Sequence, residues 1–217
     1  YIDLKHNSTK LDFSFVPARD RPDAFGPFIR VTNSYNGIRA LAFDIGFYRK
    51  VCKNGLILPN SIIRFKFAQL RREISNTVKF EVASEQLANL KSSFGKYLGA
   101  LRDYQVPRAQ FEPLTFRVLL LRQPQNVEPK SRNADEWAAL SAHVSELNDR
   151  YAHELGQNAY AAFNAITGFA SHPPTNRFVH RDRQSLQRLA GVWVNTFSRQ
   201  CRQPSFNLAT YLKELTE

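Results

Sequence analysis

The chain of 217 residues is 43% hydrophobic and 23% charged, a balance that suits a folded globular protein and excludes a disordered one. Its longest uncharged apolar run falls far short of the roughly 18–20 residues that cross a bilayer, so no membrane partner is expected. Thirty Lys and Arg against nineteen Asp and Glu give a net charge of +11 and a pI near 9.9. A field of that sign attracts phosphate polyanions and makes nucleic acid the expected partner class.

The excess is uneven. Residues 1–72 carry 13 Lys and Arg against 5 Asp, whereas residues 73–217 carry 17 against 14 acids. The chain opens on Tyr1 and contains no Met, which reads as a segment excised from a longer one. Cys52 and Cys201 form neither a CxxC pair nor a disulfide framework, and are expected to be reduced thiols of a cytoplasmic protein.

In chain order, the first third reads as antiparallel sheet. "KLDFSFVP" alternates Leu11, Phe13 and Phe15 against Asp12 and Ser14, and "PFIRVTN" places Phe28 and Val31 in a β-branched setting. In "YNGI", Asn36-Gly37 tolerates the positive φ angles of a tight hairpin. From Ile38 to Val51 the residues alternate, with Leu41, Phe43, Ile45 and Phe47 on the face of a half-buried strand. "CKNGLILP" offers a second turn at Asn54-Gly55, and "SIIRFKF" alternates Ile63, Phe65 and Phe67 against Arg64 and Lys66. Three strands joined by two tight turns are expected over Pro27–Asn33, Ile38–Val51 and Leu56–Phe67.

After Arg72 the hydrophobic period changes from two to about 3.6. "SEQLANLKSSFGKYLGALRDY" has Ser84 as its expected N-cap and Leu87, Leu90, Phe94, Leu98 and Leu101 on one face. "PRAQFEPLTFRVLLLR" starts well at Pro107, while Pro113 is expected to bend or restart it. "QPQNVEPKSRN" reads as an exposed loop near 122–133. Asn133 or Asp135 then opens a long helix with Trp137, Leu140, Val144, Leu147 and Tyr151 at helical spacing, capped by Gly156. "NAYAAFNAITGFASH" is a helix rich in small residues. Ala161, Ala165 and Gly168 lie at helical spacing, which favours a tight bundle over an oligomer interface, although a homo-oligomer stays open. "DRQSLQRLAGVWVNTFSRQC" and "NLATYLKELT" complete the set.

The stretch "NSYNGIRALAFDIGFYRKVCKNGLILP" orders Asn-Ser, a Gly turn, an alternating strand and Arg-x-Val-Cys-x-Asn-Gly. That order resembles the phage/plasmid-like protein family catalogued as domain of unknown function 932, whose members show a similar "NSHDG…R.VCSNGL" pattern and a later segment like "GQNAYAAFNAITGFASH", here Gly156 to His172. Where relatives commonly carry a histidine after the third strand, this chain has Phe67 and Ala68. The resemblance implies a setting of phage, plasmids and other mobile DNA, and no established activity.

The residues point to no reaction. His172 and His180 are eight positions apart across Pro173-Pro174, without the short ligand spacings of a metal site, so no metal or cofactor is expected. Cys52 lies beside Arg49, Lys50 and Lys53, whose charge favours a thiolate, yet a structural role for a small residue at a strand end is the stronger reading. Asp44 stands alone in a strand, far from the carboxylate cluster that phosphodiester hydrolysis with two metals requires.

A binding surface is the expectation that remains. Arg49, Lys50, Lys53 and Asn54 lie at one hairpin end, and Arg64, Lys66, Arg71 and Arg72 on and after the next strand. Tyr35 and Tyr48 are the candidates for base stacking, while Phe43, Phe47, Phe65 and Phe67 are read as core. Arg177, Arg181 and Arg183 form a second basic group. The expected protein is α+β: an N-terminal antiparallel, twisted sheet (1–72) packed against a C-terminal helical bundle (73–217) in one integrated domain. Its expected function is nucleic-acid binding, DNA favoured, without catalysis. The alternatives are a nucleic-acid-processing enzyme with its site at Arg49, Cys52 and Asn54, or a protein-interaction module linked to phage or plasmid defence.

Overall fold

The structure, a computed structural model, describes residues 2–5, 13–15, 23–32, 42–58, 80–124 and 128–215. Within them the expected α+β architecture holds. Five antiparallel strands form one sheet, in which β3 (Asp23–Thr32) carries β1 (Ile2–Lys5) and β2 (Phe13–Phe15) along one edge. Its other edge carries β4 (Ala42–Arg49), followed by β5 (Gly55–Ile57). Pro27, which has no N–H to donate, falls between the β2 partners Asp23–Phe25 and the β1 partners Phe28–Val31, where that edge carries no ladder among the described residues.

Cross-strand partners share a face. The pairings Phe25↔Arg49, Pro27↔Phe47 and Ile29↔Ile45 build one face, and Gly26↔Tyr48, Phe28↔Gly46 and Arg30↔Asp44 build the other. The first face meets α1 (Phe80–Asp103), where Phe94 stacks on Phe47 at 4.7 Å and meets Phe25 edge-on at 5.5 Å. The second meets α5 (Arg183–Gln200) through polar side chains. Consecutive residues Asp44, Ile45, Gly46 and Phe47 are all buried, so β4 is covered on both faces rather than half-buried as its alternation predicts. The reason lies in two positions: Gly46 leaves room for the Phe28 ring, and the Asp44 carboxylate is met by α5.

The helices gather around α4 (Ala159–Ser171), all thirteen residues of which are buried. Alternation of Ala and Gly168 with Phe163, Ile166 and Phe169 lets α3 (Arg132–Leu155), α5, α1 and α2 (Arg108–Val118) reach it together, as the small-residue pattern predicts. A short α6 (Leu208–Glu214) closes the bundle, its Tyr211 ring against Phe197.

Several local expectations shift. Helix α1 begins at Phe80, so Ser84 lies inside it and is not its N-cap. The cap of α3 is Ser131, whose Oγ accepts from the Ala134 amide at 3.2 Å, rather than Asn133 or Asp135. Helix α2 runs unbroken through Pro113 from a start at Pro107. Gly156 does cap α3, at φ 90°. The β4–β5 turn occupies Lys50–Lys53, with the left-handed residue at Lys53 (φ 57°), so Asn54-Gly55 is not the turn: Asn54 leads into β5, which opens at Gly55. β1 has no counterpart among the expected strands. Ile38–Leu41, the chain from Pro59 to Phe67, and Asn36-Gly37 lie outside the described residues.

Two glycine classes make the packing testable. A Cβ at Gly191 would fall 1.8 Å from the Ile57 carbonyl oxygen, backbone that cannot yield, whereas Gly95 and Gly99 on α1 face open space. Gly191→Ala is expected to lower stability by at least the ~1–3 kcal/mol of an overpacked core, and Gly95→Ala to raise it by about 0.5–1 kcal/mol through helix propensity. Urea denaturation of the two variants checks both signs.

Candidate functional site

The segment "YRKVCKNG", singled out in the sequence, divides on folding into an anchored base and an exposed tip. Arg49, the last residue of β4, points into the helical body and is buried. All three of its guanidinium nitrogens are engaged. Nε donates to Asp23 Oδ1 at 2.9 Å, Nη1 to Asn164 Oδ1 at 3.3 Å, and Nη2 to Glu154 Oε1 at 2.7 Å. Asp23 opens β3, Glu154 lies in the last turn of α3 and Asn164 sits mid-α4, so one side chain ties two strands to two helices. Burial opposes the charge, but the bonds to Glu154 and Asp23 outweigh it and drive the Arg49 pKa further above its ordinary value. Tyr160 completes the cluster by donating to Asp23 Oδ2 at 2.7 Å.

Asn54 anchors the other arm of the turn. Its Nδ2 donates to Tyr151 Oη at 2.8 Å, and the Gly55 amide donates to Ser171 Oγ at 2.8 Å. Gly168 makes room for this pair, since a Cβ there would come within 3.1 Å of Asn54 Nδ2. Within the hairpin, the Arg49 amide bonds Asn54 O and the Lys53 amide bonds Arg49 O, each at 2.8 Å. From Ser171 the network continues: Gln187 Nε2 donates to Ser171 Oγ at 3.2 Å, and Arg30 Nη1 to Gln187 Oε1 at 2.7 Å. Beside Arg30, the fully buried Asp44 accepts from Arg188 Nη2 at 2.6 Å and Gln184 Nε2 at 3.2 Å through Oδ2, while Oδ1 has no partner among the described residues.

The expected binding residues therefore separate. Arg49 and Asn54 are buried and committed inward. Tyr48 is half-buried, its ring over Gly26 and 6.4 Å from Phe28. Lys50, Val51 and Lys53 stand exposed at the tip, Val51 at 76% exposure, with Cys52 half-buried between them. Lys53 forms no ion pair among the described residues. Across the molecule's second basic group, Arg177 donates to Asn133 Oδ1 at 2.5 Å and lies over the Phe178 ring, and Arg181 and Arg183 are exposed around the α5 cap Asp182. Tyr35, Arg64, Lys66, Arg71 and Arg72 lie outside the described residues. Phe47 is core, as expected.

Chemically, the cluster is built to hold charge still rather than to move protons. Burial and then the Cys52 side chain push the Tyr151 phenol up to about 12, and burial followed by the Asp23 charge raises Tyr160 well above its ordinary value. Asp23, Tyr151, Glu154, Tyr160 and Asn164 are members that spacing along the chain could not reveal. An acid at the entrance of an apolar strand and an Asn amid the alanines of α4 were the available signals.

Replacing Arg49 by Lys keeps the charge but cannot serve three acceptors. Arg49→Lys is expected to cost about 2–3 kcal/mol of stability in chemical denaturation, somewhat below the ~3–5 kcal/mol for removing one partner of a buried ion pair because the charge is kept. The tyrosines set a second expectation. Above an ordinary pKa of 10 the unfolded chain loses protons that Tyr151 and Tyr160 keep when folded. Their contribution is thus complete below pH 10 and is lost as pH rises toward 12. Urea midpoints measured through this range should decline, and less steeply in Tyr151→Phe.

No curated protein and no solved structure is matched by this chain. A family match covers residues 5–193, which hold every member of the network from Asp23 to Arg188. The chain belongs to the family described as Domain of unknown function (DUF932).

Proposed function

We propose that the protein binds nucleic acid through the tip of the β4–β5 hairpin, without catalysing a reaction on it. The observation that carries this reading is the contrast within six residues: Arg49 and Asn54 are locked inward, while Lys50, Val51 and Lys53 are held outward on that fixed base. A turn with a fixed backbone suits phosphates because only the ordering entropy of the lysine side chains remains to be lost on binding. An apolar residue between them suits contact with bases, as in proteins that insert aliphatic side chains at base steps. The net charge of +11 supplies the long-range attraction.

DNA is the favoured polymer, and Arg177, Arg181 and Arg183 supply a second exposed set of cations for its backbone. With this reading go a cytoplasmic location and the phage and plasmid setting that the family resemblance implies. No helix among the described residues is long and apolar enough to cross a membrane. The alternative catalytic centre at Arg49, Cys52 and Asn54 gains no support from the geometry, since two of its three members already have internal partners.

The test is a titration of fluorescent single- and double-stranded DNA and RNA against protein purified through high salt. Affinity should fall steeply between about 50 and 200 mM salt. Lys50→Glu with Lys53→Glu should weaken binding at least tenfold and reduce the slope of log K against log salt by about 1.5–2. Affinity insensitive to salt, or equal in the double variant, would exclude the tip as the binding surface.

A further inference from the structure

The geometry points to a second binding site, for a compact aromatic anion of the nucleoside monophosphate kind, in a cleft between α2 and α3 far along the chain from the hairpin. The cleft encloses about 550 Å³, within the range of small-molecule sites. One wall is aromatic: Phe116 and Trp137 lie 5.3 Å apart at 31°, and Trp137 is fixed from behind by the edge of Phe178 at 5.8 Å. Arg117 and Arg122 also line it, and among the described residues no acid does. Arg117 is positioned by donating from Nη1 to the Leu212 carbonyl, whereas Arg122 is exposed and forms no ion pair among the described residues. Flat rings beside two guanidiniums match a nucleobase carrying a phosphate.

The rim adds an independent sign. Helix α2 ends with the Leu121 amide on Phe116 O and the Leu120 amide on Arg117 O, the double-bonded stop in which Leu120 takes the left-handed position (φ 54°). Glycine is the residue that fits this conformation without strain, yet a leucine stands there, 37% exposed and lining the cleft. A strained apolar side chain kept at a rim marks a place where the side chain itself is used.

The site is separable from the hairpin, so its test is too. Trp137 borders the cleft while the other tryptophan, Trp193, is buried at 3% exposure, which makes intrinsic fluorescence a local probe. Titration of the full chain with adenosine monophosphate should quench it saturably at sub-millimolar concentration, with adenosine at least tenfold weaker. Arg122→Ala should weaken binding about tenfold without changing the thermal midpoint, and Leu120→Gly should raise the midpoint while weakening binding. Lys50→Glu with Lys53→Glu should leave the quench unchanged, so this site and the hairpin stand or fall separately. A 5′-phosphorylated oligonucleotide that competes identifies a strand end as the natural source; failure to compete identifies the free nucleotide. Absence of saturation, equal affinity for adenosine, or full binding by Arg122→Ala would overturn the assignment.

Discussion

A single guanidinium decides how this protein is put together. Arg49 leaves the sheet at the end of β4 and finds Asp23, Glu154 and Asn164 on three other elements. A buried cation without Asp23, its buried carboxylate partner, would be strongly unfavourable, so the bonds of Arg49 favour one arrangement of the strands, the end of α3 and the middle of α4. The hydrophobic contacts, with Phe94 between Phe47, Phe25 and Phe163, hold the layers in place. They do not by themselves fix register, because apolar surfaces slide at little cost. Directional bonds from Arg49 and Asn54 fix it.

The same constraint explains where function can reside. A hairpin held at its base by the side chains of Asp23, Tyr151, Glu154, Asn164 and Ser171 cannot fold down as a lid, so its backbone presents Lys50, Val51 and Lys53 at a fixed tip. Asp44 shows the other use of buried polarity. It sits opposite Arg30 on the second face of the sheet and draws Gln184 and Arg188 of α5 onto β4. Both faces of β4 are thereby closed, and the sheet is held between helices.

Much of this could be read from the residues. Long periodic helices, the alternating strand and the small-residue helix α4 follow from local pattern, because amphipathic spacing and side-chain volume act within a few residues. Helix ends were less legible: Ser131, Asn133 and Asp135 are all good caps, and tertiary packing selects among them. The turn was misplaced for a related reason. Asn54-Gly55 has the dipeptide a tight hairpin favours, but Asn54 is required inward by Tyr151, which shifts the positive φ onto Lys53. Charge patterns mislead most. Arg49 and Lys50 are neighbours of equal charge, and nothing local tells that one is buried with two carboxylates while the other faces solvent. That assignment depends on Glu154 and Asn164, more than a hundred residues away.

Native-state hydrogen exchange tests the central role of Arg49 most directly. If its network locks the hairpin, the amides of Arg49, Lys53 and Gly55, bonded to Asn54 O, Arg49 O and Ser171 Oγ, exchange only by global unfolding, at the rate of the α4 core. In Arg49→Lys these three should exchange faster through local opening while α4 retains its protection. Fast exchange of the hairpin amides in the native protein, or an unchanged pattern in the variant, would contradict the account.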